Sequence, residues 1–215
     1  NGEKYISQSI DSIINQTLKD WELLIGFNGT TDSSKDIVSS YNDDRIKVFD
    51  YKEDKGKAKT LNKLIKEAKY DWCGIQDDDD IWLPEKLGKQ LDQLNHYDVI
   101  GTLISYIDEK NICLGEPNLA TDHENIKRLS LAGANQIANS SSIFKKSSVL
   151  DVGCWNSGLD KLALQGIQPK EDFDLWIKLL KKGYRFHNIS SKLVLHRLHQ
   201  GSNFNTKKHD TSKTL

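Results

Sequence analysis

An α/β fold built on a mostly parallel sheet is what this sequence predicts, and three observations carry it. Short apolar runs alternate with amphipathic helical stretches along residues 4–94. Turn and acidic clusters follow directly after two of those runs, at the strand ends where an open α/β sheet gathers polar groups. The length, 215 residues, suits one domain large enough to bury a core without disulfides.

Residues 4–16 (KYISQSIDSIINQ) place Ile6, Ile10, Ile13 and Ile14 at helical spacing. Residues 21–27 (WELLIGF) read as a buried strand. Asn28-Gly29-Thr30-Thr31-Asp32 then forms a turn able to cap a helix reaching Tyr41. A second strand is expected at 45–49. Residues 56–68 follow as a Lys-rich helix with Leu61, Leu64, Ile65 and Ala68 on one face. Residues 71–76 make a third strand that runs straight into four aspartates, and Pro84 suits the first turn of a helix to Leu94. The second half is less regular. Strands are expected at 99–106, 141–144 and 192–198, and helices at 125–131 and 171–181, the last ended by Gly183. Residues 156–170 read as a loop-like insertion.

Composition narrows the function. Apolar residues are 37% of the chain, which is globular rather than disordered. Thirty basic residues balance 31 acidic ones for a net charge of −1, which argues against a nucleic-acid binder. The three cysteines form no CxxC pair, so neither a zinc ribbon nor a disulfide framework is expected, and a cytoplasmic setting fits. No apolar run approaches the roughly 20 residues of a membrane span. Asn28-Gly29-Thr30, Asn139-Ser140-Ser141 and Asn188-Ile189-Ser190 match the glycosylation pattern and read as chance. The chain has no methionine and opens inside a motif, so natural N-terminal residues are expected to be missing.

The chemistry centres on GIQDDDDIWL, residues 74–83. Four adjacent carboxylates make a solvated acidic loop or, at a strand end, a site for Mg²⁺ or Mn²⁺, which favour oxygen ligands. Glu171-Asp172 opens a helix, where acidic residues are either ordinary N-terminal charge or a proton acceptor. Trp176, one turn on, suits either core or site wall. His199 and Arg197 suit either surface or ligand contact, as does Lys57 on its Lys-rich helix.

Taken in order, the motifs resemble family 2 glycosyltransferases, inverting enzymes with the GT-A fold, a Rossmann-like sheet flanked by helices with a smaller acceptor-side region. The resemblance rests on six blocks reaching about residue 205: Asn1 to Gln16-Thr17; Glu22-Leu23-Leu24-Ile25 with Asn28-Gly29-Thr30-Thr31-Asp32; Lys55-Gly56 with Leu61-Asn62; Ile75 to Leu87; Val152-Gly153 with Glu171-Asp172-Phe173-Asp174-Leu175-Trp176; and Arg197-Leu198-His199 with Ser202. It implies a single domain over 1–215, with a nucleotide-sugar half at 1–98, an acceptor half at 99–205 and a tail at 206–215. It implies that Asp77 and Asp79 are the outer carboxylates of a D-x-D motif, with Asp79 the direct ligand of Mn²⁺ or Mg²⁺ and His199 a third ligand. Asp172 is the implied catalytic base, with Asp80, Glu171 and Trp176 in support. Asn28, Lys57 and Arg197 are the implied donor contacts. Asn28 replaces the family's usual Asp, and its carboxamide both donates and accepts hydrogen bonds.

The implied donor is a UDP-, dTDP- or GDP-sugar and the implied acceptor a saccharide or lipid-linked glycan. Peripheral association with the inner face of a membrane, and a homodimer, are compatible with this. The family's first strand would lie before Asn1. Two other classes share parts of the pattern: a degenerate fold kept as a binding scaffold, and a metal-dependent nucleotidyltransferase. Retention of both Asp79 and Asp172 speaks against the first, and the Arg-Leu-His ending against the second.

Overall fold

The computed structural model describes residues 1–52, 56–161 and 170–199. Its first element, α1 (Ile6–Ile14), buries Ile6, Ile10 and Ile13 as their spacing requires. Strand β1 (Leu23–Phe27) pairs in parallel with β2 (Ile46–Asp50), and α2 (Ser34–Ser39) connects them. Helix α3 (Lys57–Glu67) leads into β3 (Trp72–Gly74), which the aspartates follow. The short strand β4 (Ile81–Trp82) and α4 (Lys86–Leu91) come next, so the chain is briefly extended before Pro84 and the helix starts later and ends sooner than expected.

The second half supplies β5 (Val99–Ile107), β6 (Cys113–Gly115), α5 (His123–Leu131), β7 (Ile143–Lys145) and α6 (Lys146–Asp151). It ends with α7 (Glu171–Lys182) and β8 (Phe186–Arg197). Strand β6 and helix α6 are too short to show a period in sequence. Asp122 caps α5 through the Asn125 amide at 3.0 Å. Gly183, at φ +100°, ends α7 in the left-handed region, as expected. The expected insertion at 156–170 contains a 3₁₀ turn at Ser157–Leu159, and its residues 162–169 lie outside the described residues.

The α/β class stands, but the sheet is mixed. In the larger sheet the order is β3-β7-β5-β8-β4, with β6 on β5. The two longest ladders, β1/β2 and β5/β8, are parallel, whereas β3/β7, β4/β8, β5/β6 and β5/β7 are antiparallel. The expected mostly parallel pairing stands in the long ladders, and short antiparallel pairings trim them. Strands as short as β3, β4, β6 and β7 carry too few residues for their direction to be read from sequence.

One core lies between the larger sheet and helices α3, α5, α6 and α7. Trp176 is fully buried there, with ring centroids 6.2 Å from Phe144 and 6.3 Å from Phe186. Polar side chains bind α1 to the segment carrying the aspartates. Gln16 donates to the Leu83 carbonyl at 2.9 Å and accepts from the Leu87 amide at 3.0 Å. Ser12 accepts from the Trp82 amide, and Ser9 donates to the Asp77 carbonyl. Lys86 is buried below α4, 2.9 Å from Gln90 and 3.7 Å from the Trp82 ring centroid, and burial pushes its ammonium well below the usual lysine range.

Among the described residues, β1 pairs only with β2 and β3 only with β7. The unpaired edges of β1 and β3 line the same cavity of about 1540 Å³, which α1 and α3 also border.

Candidate active site

At the strand ends charged and polar side chains line the cavity. There the turn after β3 delivers the aspartates, α3 delivers Lys57, and α7 delivers Glu171 and Asp172. Asn28, directly after β1, lines the same space.

The four aspartates have four different environments. Asp77 accepts hydrogen bonds from Lys57 Nζ, from Asn139 Nδ2 at 3.2 Å and from Ser140 Oγ at 3.2 Å. Burial opposes its charge, but Lys57, Asn139 and His196 hold its carboxyl below the usual range. Asp78 is exposed. Asp79 Oδ2 lies 3.0 Å from His199 Nε2. Burial, with Asp80, Asp77 and Asp78 nearby, pushes the Asp79 carboxyl up to about 6. Asp80 is fully buried, accepting from the Arg197 amide at 2.9 Å and meeting His196 Nδ1 at 3.0 Å. Burial disfavours charge on His196, yet Asp80 raises its pKa to about 9.

Sequence and geometry agree in part. Asp80 ties the loop to the end of β8 through His196 and the Arg197 amide. Asp79 and His199 come together. Asp77 has other partners in this structure: Lys57 Nζ, Asn139 Nδ2 and Ser140 Oγ engage its carboxylate. Arg197 also departs from expectation. Its guanidinium is fully buried, donating to the Asp79 carbonyl, the Asp108 carbonyl and Gln8 Oε1, each at 2.9 Å, above the Tyr5 ring. A fork spent on three protein oxygens is a clamp on the aspartate loop rather than a phosphate contact. Trp176 resolves as core.

Lys57 Nζ spans Asp77 and Glu171, at 3.6 Å from the latter. Burial raises the pKa of Glu171 and of Asp172, with Lys57 opposing both shifts. Asn135 Nδ2 is 3.4 Å from Asp172 Oδ2, and its own Oδ1 accepts from the Ile137 amide. Asn135, Asn139, Ser140 and His196 were not anticipated. Asn139 and Ser140 drew notice only as a chance glycosylation match, since nothing local to them signals a contact with Asp77 some 60 residues away.

Comparison with known proteins places this arrangement. The family model described as glycosyl transferase family 2 matches residues 1–149. The chain belongs to that family. Among its relatives, the Escherichia coli O-antigen biosynthesis glycosyltransferase WbnJ is 31% identical over 210 residues, covering 93% of this chain and 77% of that protein. The Escherichia coli UDP-Glc:alpha-D-GlcNAc-diphosphoundecaprenol beta-1,3-glucosyltransferase WfgD is 30% identical over 195 residues, covering 89% and 69%.

The fold is shared with S. aureus TarS solved in complex with UDP-GlcNAc, at a TM-score of 0.74 and 18% identity, over 94% of this chain and 57% of that one. It is also shared with the mannosyltransferase PcManGT from Pyrobaculum calidifontis, solved with GDP-Man and Mn²⁺, at a TM-score of 0.68 and 15% identity, over 94% and 55%. The chain therefore spans somewhat over half the length of these solved chains. The GT-A architecture expected for family 2 stands. No helix among the described residues is long and apolar enough to cross a membrane.

Proposed function

We propose that this family 2 member is an inverting glycosyltransferase that moves a sugar from a nucleoside diphosphate to a hydroxyl acceptor. The observation that carries this is one chamber holding two kinds of carboxylate: Asp79 beside His199, and Asp172 at the start of α7. Asp79 and His199 suit a hard divalent cation whose remaining positions fall to diphosphate oxygens and water. Such a cation, when bound, neutralises charge on the departing diphosphate.

The chain's own residues do the rest. Lys57 faces the diphosphate side while fixing Asp77. Asp172 takes the proton from the acceptor hydroxyl as that oxygen forms its bond to the anomeric carbon. The bond to the diphosphate breaks on the opposite face, and the electron pair leaves with the diphosphate. Burial raises the Asp172 pKa and so strengthens it as a base. Asn28 meets the nucleobase. WfgD is named for a lipid-linked diphosphoundecaprenol acceptor, and an acceptor of that kind would place the reaction at a membrane face. The slot between β1 and β3 would take a further extended strand, completing the nucleoside side.

Isothermal titration with UDP, dTDP and GDP, with and without Mn²⁺, tests the donor side. Metal-dependent binding is expected in the native chain and in Asp172→Asn, and its loss in Asp79→Asn. Binding indifferent to Mn²⁺ would remove the metal assignment. A hydrolysis screen of nucleotide sugars then identifies the donor.

A further inference from the structure

Asp160 is an acidic residue that the mechanism above does not use, yet it is only 4% exposed. Asn156 Oδ1 accepts from the Gly158 amide at 3.0 Å, closing the turn Ser157–Leu159 and bringing Asp160 beneath the start of α3. There Asp160 Oδ1 accepts from the Ala58 amide at 3.0 Å and Oδ2 from the Lys59 amide at 3.1 Å. One carboxylate thus satisfies two of the orphan donors of the first turn and meets the positive end of the helix dipole.

The helix has no cap of its own. Its N-cap residue is Gly56, which carries no side chain to do the task. Gly56 sits at φ +140°, and a Cβ built there would come within 2.3 Å of Asp160 Cγ. The glycine of the Lys55-Gly56 motif is therefore the residue that lets a distant carboxylate reach the helix end. A second clamp lies one turn along. Asn62 Nδ2 donates to the Trp155 carbonyl at 2.8 Å, and its Oδ1 accepts from the Trp155 amide at 2.9 Å. Helix α3 is thereby registered on residues 155–160, a segment of the acceptor half.

We propose that Asp160 is the positioning residue for Lys57. Lys57 is the first residue of α3, immediately before the two amides that Asp160 holds, and its Nζ bridges Asp77 and Glu171. A frayed or rotated first turn moves that ammonium away from both carboxylates and from the start of α7. The functional consequence rests on the donor-binding role given to Lys57 above, whereas the structural one does not.

Lysine-selective ¹⁵N spectra of the full chain read the ammonium directly, with the Lys57 signal assigned by its loss in Lys57→Met. Asp160→Asn keeps the side-chain volume but turns a donor toward the Lys59 amide. It should shift and broaden the Lys57 signal while the other lysine signals hold. An unmoved Lys57 signal in both Asp160→Asn and Asp160→Ala overturns the proposal.

Calorimetry with UDP and Mn²⁺ adds the functional arm. Asp160→Asn should weaken UDP about fivefold, the scale of one lost helix cap. The double variant Lys57→Met/Asp160→Asn should bind no more weakly than Lys57→Met alone. Additive losses mean that Asp160 acts by another route and overturn positioning through Lys57. A native chain that binds no UDP counts against the nucleotide reading, and the Lys57 signal then decides the role of Asp160 by itself.

Discussion

The β5–β8 ladder and the β1–β2 ribbon are built to different standards. Strand β5 is buried at nearly every position and has neighbours on both sides. Strand β1 is half-buried along most of its length and keeps one free edge, and Val48 on β2 is 50% exposed. The aspartate loop is tied to the end of β8 through the Arg197 amide and guanidinium; Asn28 follows the ribbon strand β1. Under the proposed function, the groups assigned to the diphosphate and its metal are preorganised by hydrogen bonds to β8, whereas the residue assigned to the nucleobase follows a half-buried strand.

The sharpest test of the completed side is chemical. Asp172→Asn should cut transfer by roughly 10²–10⁴-fold with donor binding retained, as loss of a general base does. Equal transfer rates in variant and native protein would remove the base assignment. Next in size is its core: Trp176→Ala should cost about 3–5 kcal/mol in urea unfolding, because a fully buried indole leaves a cavity.

The ribbon side predicts a gain instead. A chain extended before Asn1 by an apolar, β-branched strand should be more stable, by about 1.5 kcal/mol or more even if it buries a single large side chain net of ordering. No change in melting temperature would mean the slot does not take a strand.

Smaller again is a pH effect. As the proposed base, Asp172 would work only when ionised, and burial raises its pKa, so the rate should fall with acidity starting above about pH 4, where an ordinary Asp titrates. Lys57 favours the ionised form, so Lys57→Met should move that acid limb to still higher pH. The smallest effect belongs to the ribbon surface. Val48→Ala should change stability by no more than about 0.5 kcal/mol, and a larger loss would show the ribbon to be packed after all.

Much of the fold was legible because periodicity survives wherever one face is buried. The isoleucines of α1, the apolar face of α3 and the Leu175, Trp176 and Leu179 stripe of α7 each announced a helix. Asp79 and His199, which meet at 3.0 Å, were each singled out by a motif. Illegible were contacts made across the chain by residues with no local pattern: Asn139 and Ser140 on Asp77, and Asp160 on the amides of α3.

Arg197 shows the boundary most clearly. Sequence identifies a basic residue near a histidine in a familiar ending, and from that alone a phosphate contact is reasonable. Only the packing of β8 against the aspartate loop turns its guanidinium inward to three protein oxygens. By itself the sequence determined the α/β class, the order of the longer elements and which residue types gather at the strand ends, since these follow from local periodicity and motif order. The tertiary structure decided what each of those residues does. Burial and long-range partners set whether a charge is spent on the protein or left for a ligand, and neither is written in any short stretch of chain.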